Sequence, residues 1–163
     1  GIAMLPGGKG VFPEMTVREN LEMAAFNQRG DRASMEGAID RTLQLFPELA
    51  ERKGQLASSL SGGQQQLLAM AGVLTTDPKV LIIDELSLGL APIVVERMVE
   101  LVRDLHRRGL TIIIVEQSLN VAMSIAERAV FLEKGHVRFE GPMKDLVERD
   151  DLARAVFLGK EGG

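Results

Sequence analysis

The stretch "VLIIDE" at residues 80–85 joins a short run of branched apolar residues to two carboxylates. Such a run, bounded by polar residues, favours a strand buried on both faces, as in parallel sheets. Asp84 and Glu85 would then stand at the carboxyl end of the strand, the edge where open α/β sheets bind ligands. Asp84 has the chemistry to hold a hydrated Mg²⁺, and Glu85 to orient or deprotonate a water beside a phosphate. A strand that simply ends in a polar turn has the same local pattern, so this interpretation depends on the rest of the chain.

Strand and helix patterns on either side of residues 80–85 predict an α/β fold. Pro92 at a first-turn position predicts a helix that connects two buried strands, and a strand–helix–strand connection of this length favours a parallel sheet. Lys134-Gly135 between two alternating runs predicts a hairpin. The predicted core strands are 2–5, 80–84 and 110–116, the hairpin strands 129–133 and 136–140, and the terminal helices 142–148 and 151–158.

Residues 12–76 are predicted to form a helical subdomain, and residues 1–11 and 77–163 the α/β core. Capping boxes at residues 16–19 and 61–64 each predict a helix start. The first helix is expected to run through Phe26 and to break at Gly30-Asp31, the second to span about 34–46 before Pro47, and the third to end near Leu74.

The second capping box lies inside "LSGGQ", residues 60–64. Ser61 caps the helix, while Gly62 and Gly63 let the backbone approach a ligand without side-chain interference. Free N–H groups and the positive end of the helix dipole make such a start suitable for an anion. A helix start with a flexible entry explains the pattern equally well when it is taken alone.

The glycine-rich stretch "LPGGKGVFP" at residues 5–13 is not a phosphate-binding loop. That loop needs Gly, four residues, Gly-Lys and then Ser or Thr. Counting from Gly8-Lys9 puts Ala3 at the first glycine and Gly10 at the hydroxyl position. The stretch is therefore predicted to be a turn.

Composition excludes several classes of function. The 163 residues carry a formal net charge of −4, which argues against general nucleic-acid binding. The sequence has no cysteine, so disulfides and thiolate metal sites are excluded, and a cytosolic location is expected. The apolar runs are too short to span a bilayer. Because the chain starts at Gly1 without an initiating Met, within a predicted strand, we expect it to be part of a longer protein.

The order and spacing of these motifs resemble the ATP-binding subunits of ABC transporters. "LSGGQ" is similar to the signature motif, "VLIIDE" to Walker B with its catalytic Glu, and "SLGL" at 87–90 to the D-loop. Gly7 falls at the Q-loop position and Gln117 at the switch-histidine position. The branched-chain amino acid (or urea) uptake branch is most similar, through "VFPEMTVRENL", "LSLGLAP", "VEQ" and "AVFLG".

The resemblance covers essentially the whole chain and implies a partial P-loop NTPase (ABC ATPase) fold. It has a parallel sheet core, a helical signature subdomain, and a C-terminal β-hairpin plus helices, with Walker A expected upstream of Gly1. It also implies ATP and Mg²⁺ as ligands, a second ATPase subunit and membrane permease subunits as partners, and a peripheral cytoplasmic location. The site residues implied are Glu85 and Gln117 for catalysis, Asp84 for the metal and nucleotide, and Leu60, Ser61, Gly62, Gly63, Gln64 and Gly7 for nucleotide binding.

Several positions depart from the family pattern. Gly7 offers no oxygen to a metal or water, Leu86 replaces the usual Pro, and Gly72 stands where Arg is common. Since Walker A is missing from this sequence, the isolated chain is expected not to turn over ATP at a meaningful rate.

Two other interpretations stay open. The chain could be a non-catalytic module that self-associates through an exposed sheet edge or docks a partner ATPase or permease. A soluble ABC ATPase of DNA repair or translation is disfavoured, because the Q-loop-to-signature spacing leaves no room for a coiled-coil insert and the chain is acidic.

Overall fold

The computed structural model describes residues 1–8, 10–26 and 32–148. It divides into two compact units, Gly1–Val115 and a second unit that begins at Glu116. The elements of the first unit are β1 Ile2–Leu5, α1 Val17–Ala24, α2 Arg32–Leu45, α3 Pro47–Ala50, α4 Gly62–Leu74, β2 Val80–Asp84, α5 Pro92–Arg107 and β3 Thr111–Val115. Those of the second unit are α6 Leu119–Ile125, β4 Arg128–Glu133, β5 His136–Pro142 and α7 Met143–Val147.

The core of the first unit is a three-stranded parallel sheet in the order β1-β2-β3. Helix α4 packs against β1 and α5 against β3. One face of the sheet is buried, including Leu5, Leu81 and Ile83. The opposite face exposes alternate apolar side chains, among them Ile2 and Ile113, because side chains alternate along a strand. The predicted parallel α/β sheet is confirmed, but β2 is buried on one face only.

Helices α1 and α4 begin at the predicted start signals. Thr16 caps α1, with the Glu19 side chain returning to the Thr16 backbone, and Ser61 caps α4 in the same way. Helix α1 ends at Ala24, two residues before the predicted Phe26. Gly72 of α4 lies where an added Cβ would be 3.3 Å from the Cβ of Ala24. The glycine therefore lets α1 and α4 approach closely.

The segment after α2 is more ordered than its weak pattern predicts. Pro47, expected only to stop a helix, also opens α3 at the first helical position, where its missing N–H is not needed. Leu49 is fully buried, and a 3₁₀ turn at Ala57–Ser59 leads to the next helix start. The expected break at Gly30-Asp31 and the expected helix at 151–158 lie outside the described residues. The division into 1–11 plus 77–163 and 12–76 stays a prediction.

The second unit contains the predicted hairpin. Strands β4 and β5 pair antiparallel, and both turn residues are left-handed, Lys134 with φ of 48° and Gly135 with φ of 79°. Two positive φ values are what a two-residue type I′ turn requires. Met143 and Leu146 of α7 are buried against apolar residues of the hairpin and α6.

Candidate functional site

The two carboxylates lie at the carboxyl end of β2. Asp84 is the last residue of the strand and pairs with Val115 of β3. The Glu85 backbone N–H donates a hydrogen bond to the Val115 carbonyl at 2.9 Å. Both acidic residues are partly accessible to solvent, so neither is sealed in the interior.

Glu85 has a left-handed backbone, with φ of 53°. This conformation costs an ordinary L-residue about 1–2 kcal/mol because its Cβ crowds the carbonyl oxygen. The next residue, Leu86, is fully buried, and the Leu88 N–H donates to the Glu85 carbonyl at 3.3 Å. The surrounding contacts thus hold Glu85 in a strained conformation at the predicted catalytic position.

Gly7, which follows β1, lies directly beside Glu85. A Cβ added to Gly7 would be 3.3 Å from Glu85 Oε2 and 3.5 Å from the Asp84 carbonyl oxygen. The structure therefore brings Gly7, Asp84 and Glu85 together at one sheet edge, as parallel strands ending at that edge predict. Any side chain at residue 7 would contact the Glu85 carboxylate.

Residues 60–64 form the start of α4. The Gln64 N–H donates to Ser61 Oγ at 3.3 Å, and the Ser61 N–H donates to Gln64 Oε1 at 3.0 Å. Ser61 and Gly62 are exposed, whereas Leu60 is buried. The Gln64 side chain is thus occupied in the cap, and Leu60 anchors the segment to the core.

The two glycines of this segment have different surroundings. Outside its chain neighbours and its own helix backbone, no atom lies within 4 Å of a Cβ built on Gly62, whereas one built on Gly63 would lie 2.7 Å from Cγ2 of Val94 on α5. Space for a ligand therefore exists over Gly62. Gly63 is packed against a neighbouring helix, a contact that the motif alone does not predict.

Two residues that the sequence analysis missed hold the flanking segments. The amide of Gln65 donates to the carbonyls of Ala57 and Leu60, at 2.9 and 3.4 Å, and so fixes the chain just before Ser61. Asn20 accepts from the Phe12 N–H at 2.7 Å and donates to three backbone carbonyls between residues 12 and 16. Both residues are buried. A polar residue on the apolar stripe of a predicted helix is the signal that would have found them.

Gln117 belongs to the second unit, in the connection between β3 and α6, and is exposed. Its predicted role is carried by resemblance alone.

The donor set at the end of β2 fits Mg²⁺ if phosphate and water complete the coordination. Within the described residues no group of three or more His, Cys, Asp or Glu is arranged to hold a metal. Mg²⁺ is commonly held by one or two carboxylates, with water and substrate phosphates as its other ligands. Asp84, partly exposed at the strand end, can serve as such a carboxylate.

Within the residues that the structure describes, no helix has the length and apolarity to span a membrane.

A family profile described as ABC transporter matches residues 1–87. The chain is 44% identical over 136 residues to the high-affinity branched-chain amino acid transport ATP-binding protein BraG of Pseudomonas aeruginosa, covering 83% of this chain and 58% of BraG. It is 39% identical over 158 residues to the probable branched-chain amino acid transport ATP-binding protein LivF of Archaeoglobus fulgidus, covering 94% of this chain and 65% of LivF. The chain thus spans less than two thirds of the length of these relatives.

Solved structures agree with the fold. The structure of cbiO1 from Clostridium perfringens, part of the ABC transporter complex cbiONQ, matches with a TM-score of 0.79 at 26% identity over 97% of this chain and 62% of that one. A nucleotide-free ATP-binding cassette from an ABC transporter matches with a TM-score of 0.80 at 22% identity, over 96% of this chain and 68% of that one. These likenesses confirm the α/β fold class expected from the sequence.

Proposed function

The chain belongs to the ABC transporter family, and from that premise we propose that it serves in the ATP-binding subunit of a branched-chain amino acid importer. The observation that carries the proposal is the edge formed by Gly7, Asp84 and Glu85, in a chain that also presents a capped and accessible helix start at Ser61 and Gly62. The names of the two curated relatives support the choice of solute class.

The acidic edge would act on a nucleotide through two carboxylates with different tasks. Asp84, at the strand end, would hold Mg²⁺, which supplies charge neutralisation at the phosphates when it is bound. Glu85 would accept a hydrogen bond from the attacking water and orient it, since general-base action needs a carboxylate within hydrogen-bond reach. From the resemblance alone, Gln117 of the second unit would donate a hydrogen bond to a γ-phosphate. Gly7 contributes no side-chain oxygen, so at this position the chain offers only backbone close to Glu85.

The start of α4 would bind phosphate through backbone N–H groups and the Ser61 hydroxyl. The sequence contains no match to the P-loop pattern, and the phosphate contacted by Ser61 and Gly62 would belong to a nucleotide held by a second subunit. Nucleotide-driven pairing of two such subunits, docked on membrane permease subunits at the cytoplasmic face, would then drive transport. This arrangement requires the chain to associate with a partner only when ATP is present.

The proposal is tested with a full-length ATP-binding subunit of a branched-chain amino acid importer whose own catalytic Glu is replaced by Gln. We expect the chain to co-elute with that subunit in size-exclusion chromatography with ATP and Mg²⁺, and to separate from it with ADP. Gly62→Asp places a carboxylate where the phosphate would lie, in open space, and should abolish association without lowering the melting temperature. Nucleotide-independent association, or association that Gly62→Asp leaves intact, would contradict the proposal.

A second candidate function is self-association of a non-catalytic module. It is favoured by the exposed sheet face, where Ile2 is 73% exposed, Met4 53%, Ile113 50% and Val115 52%. Contiguous apolar surface of this kind favours association.

Light scattering across a concentration series tests this candidate. If it is correct, the chain forms dimers that Ile2→Glu disrupts, whereas Ile93→Glu, at a position on α5 that is 72% exposed, leaves them intact. A monomer at every concentration would exclude it.

A further inference from the structure

The first turn of α4 lies against the first turn of α5. Gly63 is the second helical residue after the Ser61 cap, and Val94 is the third helical residue of α5. A Cβ on Gly63 would lie 2.7 Å from Val94 Cγ2, 3.0 Å from Cγ1 and 3.5 Å from the Val94 Cβ. Real Cβ atoms essentially never approach another heavy atom to within 3.0 Å. Any side chain at residue 63 therefore requires one of the two helix starts to move.

Neither helix start is free to yield easily. Valine in a helix has one strongly preferred rotamer, so Val94 cannot swing its two methyl groups aside. The backbone at Val94 is held by a 2.9 Å hydrogen bond to the Ala91 carbonyl, directly after the loop that starts at Glu85. On the other side, the Ser61–Gln64 cap fixes the turn, and Gln65 ties it to the preceding segment.

We propose that Val94 is a positioning residue for the start of α4, and that residue 63 is a glycine in order to admit Val94. Gly62 differs, since outside its chain neighbours and its own helix backbone nothing lies within 4 Å of its Cβ position. The role of the turn in phosphate binding rests on the proposed function, whereas the steric pairing does not. The contact also couples the turn at 61–64 to the loop at 85–91, because Val94 stands at the beginning of the helix that follows that loop.

The pairing is tested by thermal unfolding of the chain without nucleotide. Gly63→Ala should lower the melting temperature by about 5 °C, as overpacking of a fixed contact does. Gly62→Ala should leave the melting temperature within about 1 °C or raise it, because alanine in open space favours the helix. The double variant Gly63→Ala/Val94→Ala should melt no lower than Val94→Ala alone, since the new methyl occupies the space that the valine vacates.

Val94→Thr provides the matched control. Threonine keeps both branches at Cβ, so Gly63→Ala should remain destabilising in its presence. A Gly63→Ala variant as stable as wild type would overturn the proposal. So would a loss of melting temperature in Gly63→Ala that Val94→Ala does not relieve. If Gly63→Ala fails to fold, recovery of a cooperative transition in the double variant supports it, and failure of both contradicts it.

A functional readout tests whether Val94 positions the turn at 61–64. In the ATP-dependent association assay, Val94→Ala should weaken binding to the full-length subunit, whereas Val94→Thr, which keeps both branches at Cβ, should bind as wild type does. Equal binding by Val94→Ala and wild type would overturn the positioning role. The unfolding results stand independently of whether any association is observed.

Discussion

Replacement of Glu85 by glycine or by alanine tests whether its backbone conformation is strained. Both variants lose the same carboxylate, so they differ by one methyl group, and electrostatic effects cancel in the comparison. In an ordinary segment alanine is the more stable of the two by about 0.5–1 kcal/mol, because glycine loses more backbone freedom on folding. At a φ of 53°, we expect the order to reverse.

The size of the reversal follows from two opposing effects. Removing the Cβ at a left-handed position removes a steric cost of about 1–2 kcal/mol from the folded state. The greater flexibility of glycine in the unfolded chain lowers the free energy of unfolding by about 0.5–1 kcal/mol relative to alanine. Glu85→Gly should therefore be more stable than Glu85→Ala by about 1 kcal/mol, which corresponds to a melting temperature roughly 2–4 °C higher.

Urea unfolding followed by circular dichroism measures the difference directly. The control is the same pair of substitutions at Glu96, an exposed residue within α5, where alanine should be the more stable by about 1 kcal/mol. If alanine is as stable as glycine at residue 85 while the Glu96 pair behaves as expected, the strain at Glu85 does not exist in solution.

Substitutions at three other positions test contacts in the first unit. Asn20→Ala should reduce the free energy of unfolding by about 1–3 kcal/mol in urea denaturation, because it leaves the Phe12 N–H without its acceptor and removes the amide that bonds three carbonyls; a loss below about 0.5 kcal/mol would contradict this. Gly7→Ala and Gly7→Gln should both shift the carboxyl ¹³C resonance of Glu85, since a Cβ would approach its Oε2 to 3.3 Å; an unchanged resonance would exclude the contact. Hydrogen bonds from the backbone N–H and hydroxyl of Thr16 lower the pKa of Glu19 below its ordinary 4.5. The stabilisation from these hydrogen bonds is present above the ordinary pKa and is lost as pH falls through the lowered pKa. Glu19→Gln should therefore flatten the plot of unfolding free energy against pH below about pH 5. An unchanged plot would count against this cap.

Local signals in the sequence predicted most of the elements, because each depends on residues close together in the chain. The capping boxes at 16–19 and 61–64, the strand at 80–84 and the turn at 134–135 are all of this kind. Contacts between distant segments were not predictable in the same way. The approach of Val94 to Gly63, for example, depends on how two helices pack, and no residue pattern in either helix encodes that distance.

Packing contacts explain two of the three departures from the family pattern. In the sequence, Gly72 and Leu86 indicate a loosened structure, since one is a helix-interior glycine and the other replaces a proline beside the predicted catalytic position. In the fold, Gly72 admits Ala24 at close range, and Leu86 is fully buried. Burial of Leu86 on one side and the hydrogen bond to Val115 on the other hold Glu85 in its left-handed conformation. Gly7 is different, because it brings no side-chain oxygen to the site, and its backbone lies so close to Glu85 that a Cβ would be 3.3 Å from Oε2. Of the three departures, only the one at residue 7 changes the chemistry available at the site.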